Sequence, residues 1–389
     1  MAAEQVRLDR ALRYGMVGGG PGAFIGDVHR RAIALDPNTT LVSGVFSRNH
    51  ESSMETARAL LIDGARVYRD YREMATAEAA RDDGIDFVVI VTPNVSHFEI
   101  AKAFLEAGIH VVCDKPLTTK LEDAEELGRL VKSTDLLFGV TYTYTGYPTV
   151  KYARELIRSG ALGPVRFVNA EYPQEWLSQP AEQDEGNRQA GWRTDPAQSG
   201  ASNCVGDIGT HVENMVSYVT GLEIDSLAAR LDSFVSGRKL DDNATIMVNY
   251  RGGATGVYWS SQVAIGYDNA LRVRVFAEKG AVEFAQEDPN YLRVTMLDAP
   301  KQLISRGRDS LGSRGDSLIR IPAGHPEGYF EAFANIYKTF TGALRKRLAG
   351  AKLDEVDLDF PSVNDGIQGV RFVTRVVESS QRKSAWVNF

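Results

Sequence analysis

Cysteine is nearly absent. Only Cys113 and Cys204 occur in 389 residues, and Cys113 lies inside an apolar run, which favours a buried, reduced thiol over a disulfide and a reducing compartment over the secretory route. No stretch of 18 apolar residues occurs, so no membrane span is expected. The opening MAAEQVRLDRALRYG has no apolar signal core, and the expected location is cytoplasmic. Charge of one sign does not dominate: 44 Lys+Arg stand against 51 Asp+Glu, which argues against nucleic acid or an anionic membrane as partner. The six histidines and two cysteines show no paired ligand spacing, so no metal is expected. Neither a nucleophile elbow nor a Ser/His/Asp arrangement is evident, and there are no repeats or low-complexity tracts.

What is present is a long globular chain. At ~150 residues per domain its length implies two or three domains. Over residues 12–142, short apolar runs (LRYGMV, TLVSGVF, IDFVVIV, IHVVCD, LLFGVTY) alternate with helical patterns such as VSHFEIAKAFLEAG and KLEDAEELGRLVKS. Near-continuous Val/Ile/Leu runs mean strands covered on both faces, and the intervening helices mean crossovers. The expectation is a doubly wound parallel sheet, a Rossmann domain over 1–142.

The pattern then changes. A helix closed by Gly160 leads into the strand PVRFVNAEYP, followed by a polar, non-periodic segment from Gln174 to Asn203. The stretch CVGDIGTHVENMVSYVTG predicts a helix capped by Ser202 or Asn203 and stopped by Gly221. Six alternating segments between 226 and 297 predict an open, mostly antiparallel sheet, and two helical patterns close the chain. The second domain is thus an α/β unit over 143–389. In SFVSG, TIMVNY and GVYWSSQ both alternating faces carry apolar residues, so a homo-oligomer, dimer or tetramer, is expected. A structureless loop as long as 174–203 is usually functional.

Chemistry-bearing residues cluster at strand ends. The first strand runs into Gly18-Gly19-Gly20-Pro21-Gly22-Ala23-Phe24-Ile25-Gly26, where glycines let the backbone approach a pyrophosphate at a helix N-terminus. If Gly26 is the third glycine of the motif, it comes three residues later than in the plain pattern. The second strand ends in Ser47-Arg48 instead of the acid that normally holds a ribose, so NAD and NADP both stay open; Arg48 suits a 2′-phosphate or an adenine face. Thr92-Pro93-Asn94-x-x-His97 and Asp114-Lys115-Pro116 end two further strands. Asp207 and His211, four apart on the second-domain helix, are expected to share a face.

Taken together, these motifs, the C-terminal sheet and the closing SAWV resemble the Gfo/Idh/MocA family, glucose–fructose oxidoreductase, inositol dehydrogenase and relatives. The resemblance spans nearly the whole chain. It implies an NAD(P)-dependent enzyme that moves a hydride at a secondary ring hydroxyl of a sugar, glycoside or cyclitol. It further implies an open sheet packed on a partner subunit and a site where Lys115, Asp207 and His211 converge near the nicotinamide. There His211 is the usual general base, and Lys115 and Asp207 position the substrate. Cofactor contacts are expected from Gly18, Gly20, Pro21, Gly22, Ile25, Ser47, Arg48, Thr92, Pro93, Asn94, His97, Asp114, Lys115 and Pro116.

The family's common Asn-Arg-Arg near the domain junction is replaced here by Tyr142-Thr143-Tyr144-Thr145-Gly146-Tyr147-Pro148. Substrate contacts must then come from Tyr144 and from the long segment, which offers Gln174, Trp176, Arg188, Trp192 and Arg193, besides Lys115, Asp207 and His211. His325 is a further candidate. An indole stacks on a sugar face, and an Arg fork holds a hydroxyl or an anion. Two alternatives stand beside the dehydrogenase. One is a redox-neutral, NAD-dependent glycosidase, working through transient C3 oxidation and elimination on an anionic glycoside such as a sulfoquinovoside. It would need one more base, from Glu175, Tyr144 or His325. The other is a catalytically silent NAD-binding sensor.

Overall fold

Strand by strand, the buried apolar runs fall where the periodicity puts them. The computed structural model describes residues 8–184, 186–308 and 310–389. The opening residues 1–7 and Glu185 of the long segment lie outside the described residues. Two compact units emerge: residues 1–118, 122–143 and 333–366 form one, and 119–121, 144–332 and 367–389 the other. The change of sequence pattern points to a single cut at 142/143 instead.

The first unit holds β1 (Leu12–Gly18), α1 (Phe24–Ala34), β2 (Thr39–Val45), α2 (His50–Ala59), α3 (Tyr71–Ala79), β3 (Phe87–Val91), α4 (His97–Glu106), β4 (His110–Cys113), α5 (Leu121–Ser133) and β5 (Phe138–Val140). Its five strands run in the order β2-β1-β3-β4-β5, all parallel. Every residue of β3 and β4 is buried, as a sheet covered on both faces requires. The order reverses at β1/β3, so the crevice beyond their carboxyl ends is the ligand position of such sheets. Residues 333–366 join this unit because their aromatics complete its core. Phe340 meets the edge of Phe87 at 5.6 Å, Phe360 meets Phe340 at 5.3 Å, and a Cβ on Gly139 would lie 3.2 Å from Phe340. Each such buried ring is worth about 1.5–3 kcal/mol.

The second unit contains α6 (Pro148–Arg158), β6 (Val165–Pro173), α7 (Arg188–Arg193), α8 (Pro196–Ser199), α9 (Thr210–Thr220), β7 (Ile224–Asp232), β8 (Asn243–Tyr250), β9 (Thr255–Ser261), β10 (Arg272–Ala277), β11 (Gly280–Ala285), β12 (Tyr291–Met296), β13 (Gln302–Ser305) and α10 (Gly312–Asp316). Two long helices, α11 (Tyr329–Leu348) and α12 (Val363–Gln381), and β14 (Val387–Asn388) end the chain. The sheet has nine strands, β13-β12-β11-β10-β6-β9-β8-β7-β14. All six expected segments are in it. It grows beyond six by taking in β6, β13 and β14, and β6 pairs with β9 in parallel, the one non-antiparallel pair among the described strands of this sheet. Alternation follows burial: in β8 Ala244, Ile246, Val248 and Tyr250 are buried while Thr245 and Met247 are exposed. No helix among the described residues is long and apolar enough to cross a membrane.

Two expectations change here. The segment 174–203 is not structureless but carries a 3₁₀ turn, α7 and α8. The helix expected from Cys204 starts as a π turn at Val205–Gly209 and becomes α-helical only at Thr210. Glycines at 206 and 209 permit the wider turn. Its leading amides are met by Asp241, whose carboxylate accepts from Asn203 N at 2.9 Å and Val205 N at 3.0 Å, and by Ser202 Oγ, which accepts from Gly206 N at 3.2 Å. Gly221, with φ of 68°, ends α9 as expected.

Candidate functional site

In the first unit the Gly-rich loop is shaped by close backbone approach. A Cβ on Gly20 would lie 2.6 Å from Phe46 O, and one on Gly26 2.3 Å from Gly19 Cα. Gly26, inside α1, is therefore the glycine that lets the helix pack against the loop. Gly22 has φ of +75° and nothing within 4 Å of its Cβ position, so its backbone faces open space. That space is a cavity of about 570 Å³ lined by Gly19, Gly20, Pro21, Gly22, Phe24 and Leu60, among others. Ala23, the N-cap of α1, supplies no capping oxygen, which leaves first-turn amides for a ligand. Arg30 donates to Gly19 O at 2.9 Å from beneath and braces the loop. The cradle fits a dinucleotide pyrophosphate. Ile25 is half-buried on α1, and Gly18 closes β1.

At the end of β2, Ser47 N donates to Ser53 Oγ at 2.8 Å and Ser47 Oγ accepts from Asn49 N at 3.1 Å. Arg48 is exposed. After β3, Pro93 is exposed and Asn94 buried, while Thr92 Oγ1 bonds Ser96 Oγ at 2.8 Å. His97 is fully buried, with Nδ1 2.9 Å from Pro116 O and Nε2 2.8 Å from Thr92 O. That position ties the Thr92-Pro93-Asn94 turn to the Asp114-Lys115-Pro116 turn; it is not open to a ligand. Asp114 is bonded by Thr141 Oγ1 at 2.6 Å. Burial pushes its carboxyl up, but the His29 ring, Lys115 and the Thr141 hydroxyl outweigh it and hold the group well below the usual carboxylate range. Lys115 is half-buried and Pro116 buried.

The second unit gathers residues far apart in sequence. His211, in the first turn of α9 and 7 % exposed, meets the Tyr144 ring edge-on at 4.8 Å and the Tyr172 ring at 6.1 Å. Tyr144 and Tyr172 share a short hydroxyl–hydroxyl bond. Tyr172 donates to Asn269 Oδ1 at 2.7 Å, which also accepts from Gln174 Nε2 at 2.6 Å. Trp176 Nε1 donates to Gln174 Oε1 at 3.0 Å. Arg193 stacks on Trp192 at 4.3 Å and lies 5.8 Å from the Trp176 ring; its Nε reaches Asp207 Oδ2 at 3.2 Å. Asp207 also accepts from Gln262 Nε2 at 3.0 Å. Burial pushes the Tyr144 hydroxyl up to about 12, so it acts as a donor near neutral pH. A chain of aromatic and amide groups thus runs from His211 to Asp207 by way of the long segment.

Tyr144, Gln174, Trp176, Trp192, Arg193, Asp207 and His211 are brought together. Arg188 is exposed at the start of α7, and no contact joins it to them among the described residues. His325 is exposed, and its carbonyl accepts from Arg306. Because Asp207 sits in the π turn, the two residues are not one turn apart on a regular helix. Asp207 is set by Arg193 and Gln262 instead. Sequence reasoning misses Tyr172, Asn269 and Gln262, which are neither charged nor part of a motif. It also misses Arg238, fully buried, which donates to Leu177 O (2.9 Å) and Gln179 O (3.2 Å) and pairs with Glu182 (2.8 Å) and Asp242 (3.1 Å). This arginine pins the long segment to the unit. Among the described residues no cluster suits a metal ion.

Comparison with known proteins agrees with this architecture. Residues 12–142 match the family described as an oxidoreductase family with an NAD-binding Rossmann fold, and 150–283 match the GFO/IDH/MocA C-terminal domain. An oxidoreductase of Sinorhizobium meliloti is similar in structure, with a TM-score of 0.88 and 44% identity over 97% of this chain and 99% of that one. So is an inositol dehydrogenase homolog of Azotobacter vinelandii complexed with NAD+, with a TM-score of 0.93 and 37% identity over 98% of each chain. A structure of an inositol dehydrogenase homolog of Azotobacter vinelandii complexed with NADH and myo-inositol has a TM-score of 0.89 and 36% identity over 98% of this chain and 99% of that one. The uncharacterized oxidoreductase YfiI of Bacillus subtilis is 34% identical over 98% of both chains. The chain has an NAD-binding Rossmann domain, with NAD or NADP both open.

Proposed function

The chain belongs to the Gfo/Idh/MocA family of oxidoreductases, and we propose that it oxidises or reduces a secondary ring hydroxyl of a sugar or cyclitol. The observation that carries this is the polar and aromatic lining around His211: Trp176 and Trp192 offer faces for the apolar side of a sugar ring, and Arg193, Gln174 and Asp207 offer hydrogen bonds to its hydroxyls. Myo-inositol bound to the Azotobacter homolog is a ligand of that kind.

When bound, the nicotinamide takes or returns a hydride at the carbon bearing the reacting hydroxyl. The chain's own residues do the rest. His211 accepts the hydroxyl proton at a ring nitrogen, with its ring plane held by Tyr144 and Tyr172. Lys115, at the carboxyl end of the strand β4, presents its ammonium to the oxygen as negative charge develops. Asp207, aimed by Arg193 and Gln262, orients a neighbouring hydroxyl. Purified protein assayed with NAD+ or NADP+ against myo-inositol, aldohexoses and methyl glycosides should form reduced cofactor with at least one. Release of methanol from the glycosides without reduced cofactor would instead mean hydrolysis. The three candidates for the extra base that hydrolysis needs are otherwise placed: Glu175 accepts from Gly266 N at 2.7 Å, burial keeps the Tyr144 hydroxyl protonated and His325 is exposed.

We also propose that a second copy covers the outer sheet region, where Phe234, Ile265, Tyr267 and Met247 are 45 to 77 % exposed. Light scattering should give a multiple of 42.7 kDa; a monomer mass at micromolar concentration would refute it.

A further inference from the structure

Asn203 stands where a helix cap is expected, yet its side chain caps nothing. The leading amides of the π turn go to the Asp241 carboxylate and the Ser202 hydroxyl. Asn203 is fully buried, and its Oδ1 has no hydrogen-bond partner among the described residues. The other end of the amide is engaged twice: Nδ2 donates to the main-chain carbonyl of Asp241 at 3.2 Å and to Gln262 Oε1 at 2.8 Å. Gln262, also fully buried, donates in turn from Nε2 to Asp207 Oδ2 at 3.0 Å. All four residues belong to the second unit.

The direction of this row is set from its far end. A carboxamide can be turned over, exchanging its oxygen and its NH2, unless its neighbours forbid it. The Asp241 carbonyl only accepts, so it keeps the NH2 of Asn203 on its side. That NH2 faces Gln262 Oε1, which leaves the Gln262 NH2 for Asp207. Turning over both amides would set oxygen against oxygen at Asp241 and again at Asp207. The arrangement costs something: a buried acceptor without a donor is unfavourable, and a leucine of nearly the same shape would avoid it. A group kept against that cost, two hydrogen bonds from a site residue, is explained by what it does for the site. Asn203 O already takes the Asp207 main-chain N–H at 2.8 Å. What the side chain adds is therefore the placement of the carboxylate.

We infer that Asn203 is a positioning residue: acting through Gln262, it fixes the direction in which the Asp207 carboxylate is held, and with it the substrate hydroxyl that Asp207 orients. The inference rests on the reading that Asp207 meets such a hydroxyl. Arg193 grips the same oxygen at 3.2 Å. Two donors thus reach Oδ2 from different elements, one at the end of α7 and one just after β9, and losing either lets the carboxylate swing about the other.

Asn203→Leu keeps the shape of the side chain and removes both the row and the orphaned oxygen. KM for the polyol should rise about tenfold with kcat within about threefold of wild type, the loss of one hydrogen bond to a charged group. Dinucleotide affinity should not change, and Tm should stay within about 4 °C. Gln262→Met should raise KM at least as much. The double variant should be no worse than Gln262→Met alone, because Asn203 acts only through Gln262. Should leucine prevent folding, Asn203→Ala carries the same measurements. A crystal structure of the variant, which needs no substrate, should show Asp207 Oδ2 released from Gln262 Nε2. A merely structural role predicts a lower Tm, an unmoved KM and losses that add. An unmoved KM, additive losses in the double variant, or an intact Gln262–Asp207 bond in the crystal each overturns the inference. If the wild type turns over no polyol, the reading of the site fails, and the crystal alone decides whether Asn203 holds Asp207.

Discussion

The two units hold their functional groups by different means. In the first, position comes from the main chain: a glycine loop closed by backbone contacts, and strand ends whose turns are tied by His97 to two carbonyls. In the second, position comes from side chains. His211 is framed by two tyrosines, Asp207 by an arginine and a glutamine, and the segment supplying the indoles is pinned by buried Arg238. Main-chain devices leave short, local signatures in a sequence; a side-chain network draws on residues a hundred apart and leaves none. They should also fail differently, one under substitutions that add a Cβ, the other under loss of a single polar group.

The largest effect is expected in the first unit. Lys115→Met removes the ammonium but keeps a long stem, so turnover should fall by more than the ~10²–10³-fold that losing one donor to a developing oxyanion costs. Fluorescence titration should find dinucleotide affinity within a few-fold of wild type, because the glycine loop is untouched. Turnover near wild type would remove Lys115 from the site. In the second unit His211→Ala should lower kcat within the ~10²–10⁴-fold range for a positioned proton-transfer group and erase the acidic limb of kcat/KM. An intact limb with less than a tenfold loss would leave the histidine only a packing role. Arg238→Met sharpens the contrast between the units. It strands Asp242 in a buried place and leaves the half-buried Glu182 without its partner, at a cost of about 3–5 kcal/mol, which lowers Tm by roughly 10 °C for a unit of this size. KM for the polyol should rise with it while NAD affinity stays put. Equal losses in both ligands would mean that Arg238 does not act through the long segment alone.

The same contrast explains which features are legible in the amino-acid sequence. The five parallel strands, Gly18 to Gly26, Thr92-Pro93-Asn94 and Asp114-Lys115-Pro116 are legible because each is a contiguous run whose hydrophobic period or backbone demand belongs to it alone. Gly26 as the helix-packing glycine is legible too, though three residues late. The six alternating segments show themselves, but not the parallel β6/β9 pairing, since alternation is the same in either direction. The π turn at Val205–Gly209 stays hidden because its cause, Asp241 taking the leading amides, lies some 36 residues onward. Tyr172, Asn269 and Gln262 stay hidden for a related reason: an uncharged side chain becomes a site residue only through neighbours that the fold supplies. Arg188 and Arg193 look alike in sequence, and the fold separates them by packing Arg193 on Trp192 and pairing it with Asp207.

The smallest effect concerns the cofactor's adenosine end, where the first unit departs from its own backbone-held rule. Most NAD-binding sheets place a carboxylate after the second strand to hold the ribose hydroxyls. Here that place falls to Ser47, whose hydroxyl is engaged by Asn49 N, and to Arg48, exposed after β2. An exposed guanidinium there attracts a 2′-phosphate and offers a flat face to adenine, so it tolerates NADP where a carboxylate would repel it. Arg48→Asp reverses that charge. Solvent screens an exposed contact, so the change should be modest: the ratio of kcat/KM for NADP to that for NAD should fall by about tenfold, or ~1.4 kcal/mol, mostly through a weaker NADP. Raising salt should shrink the difference between wild type and variant, since the effect is carried by charge at the surface. If the ratio holds steady at low salt, Arg48 does not face the ribose, and cofactor choice lies with the loop glycines and Ser47 alone.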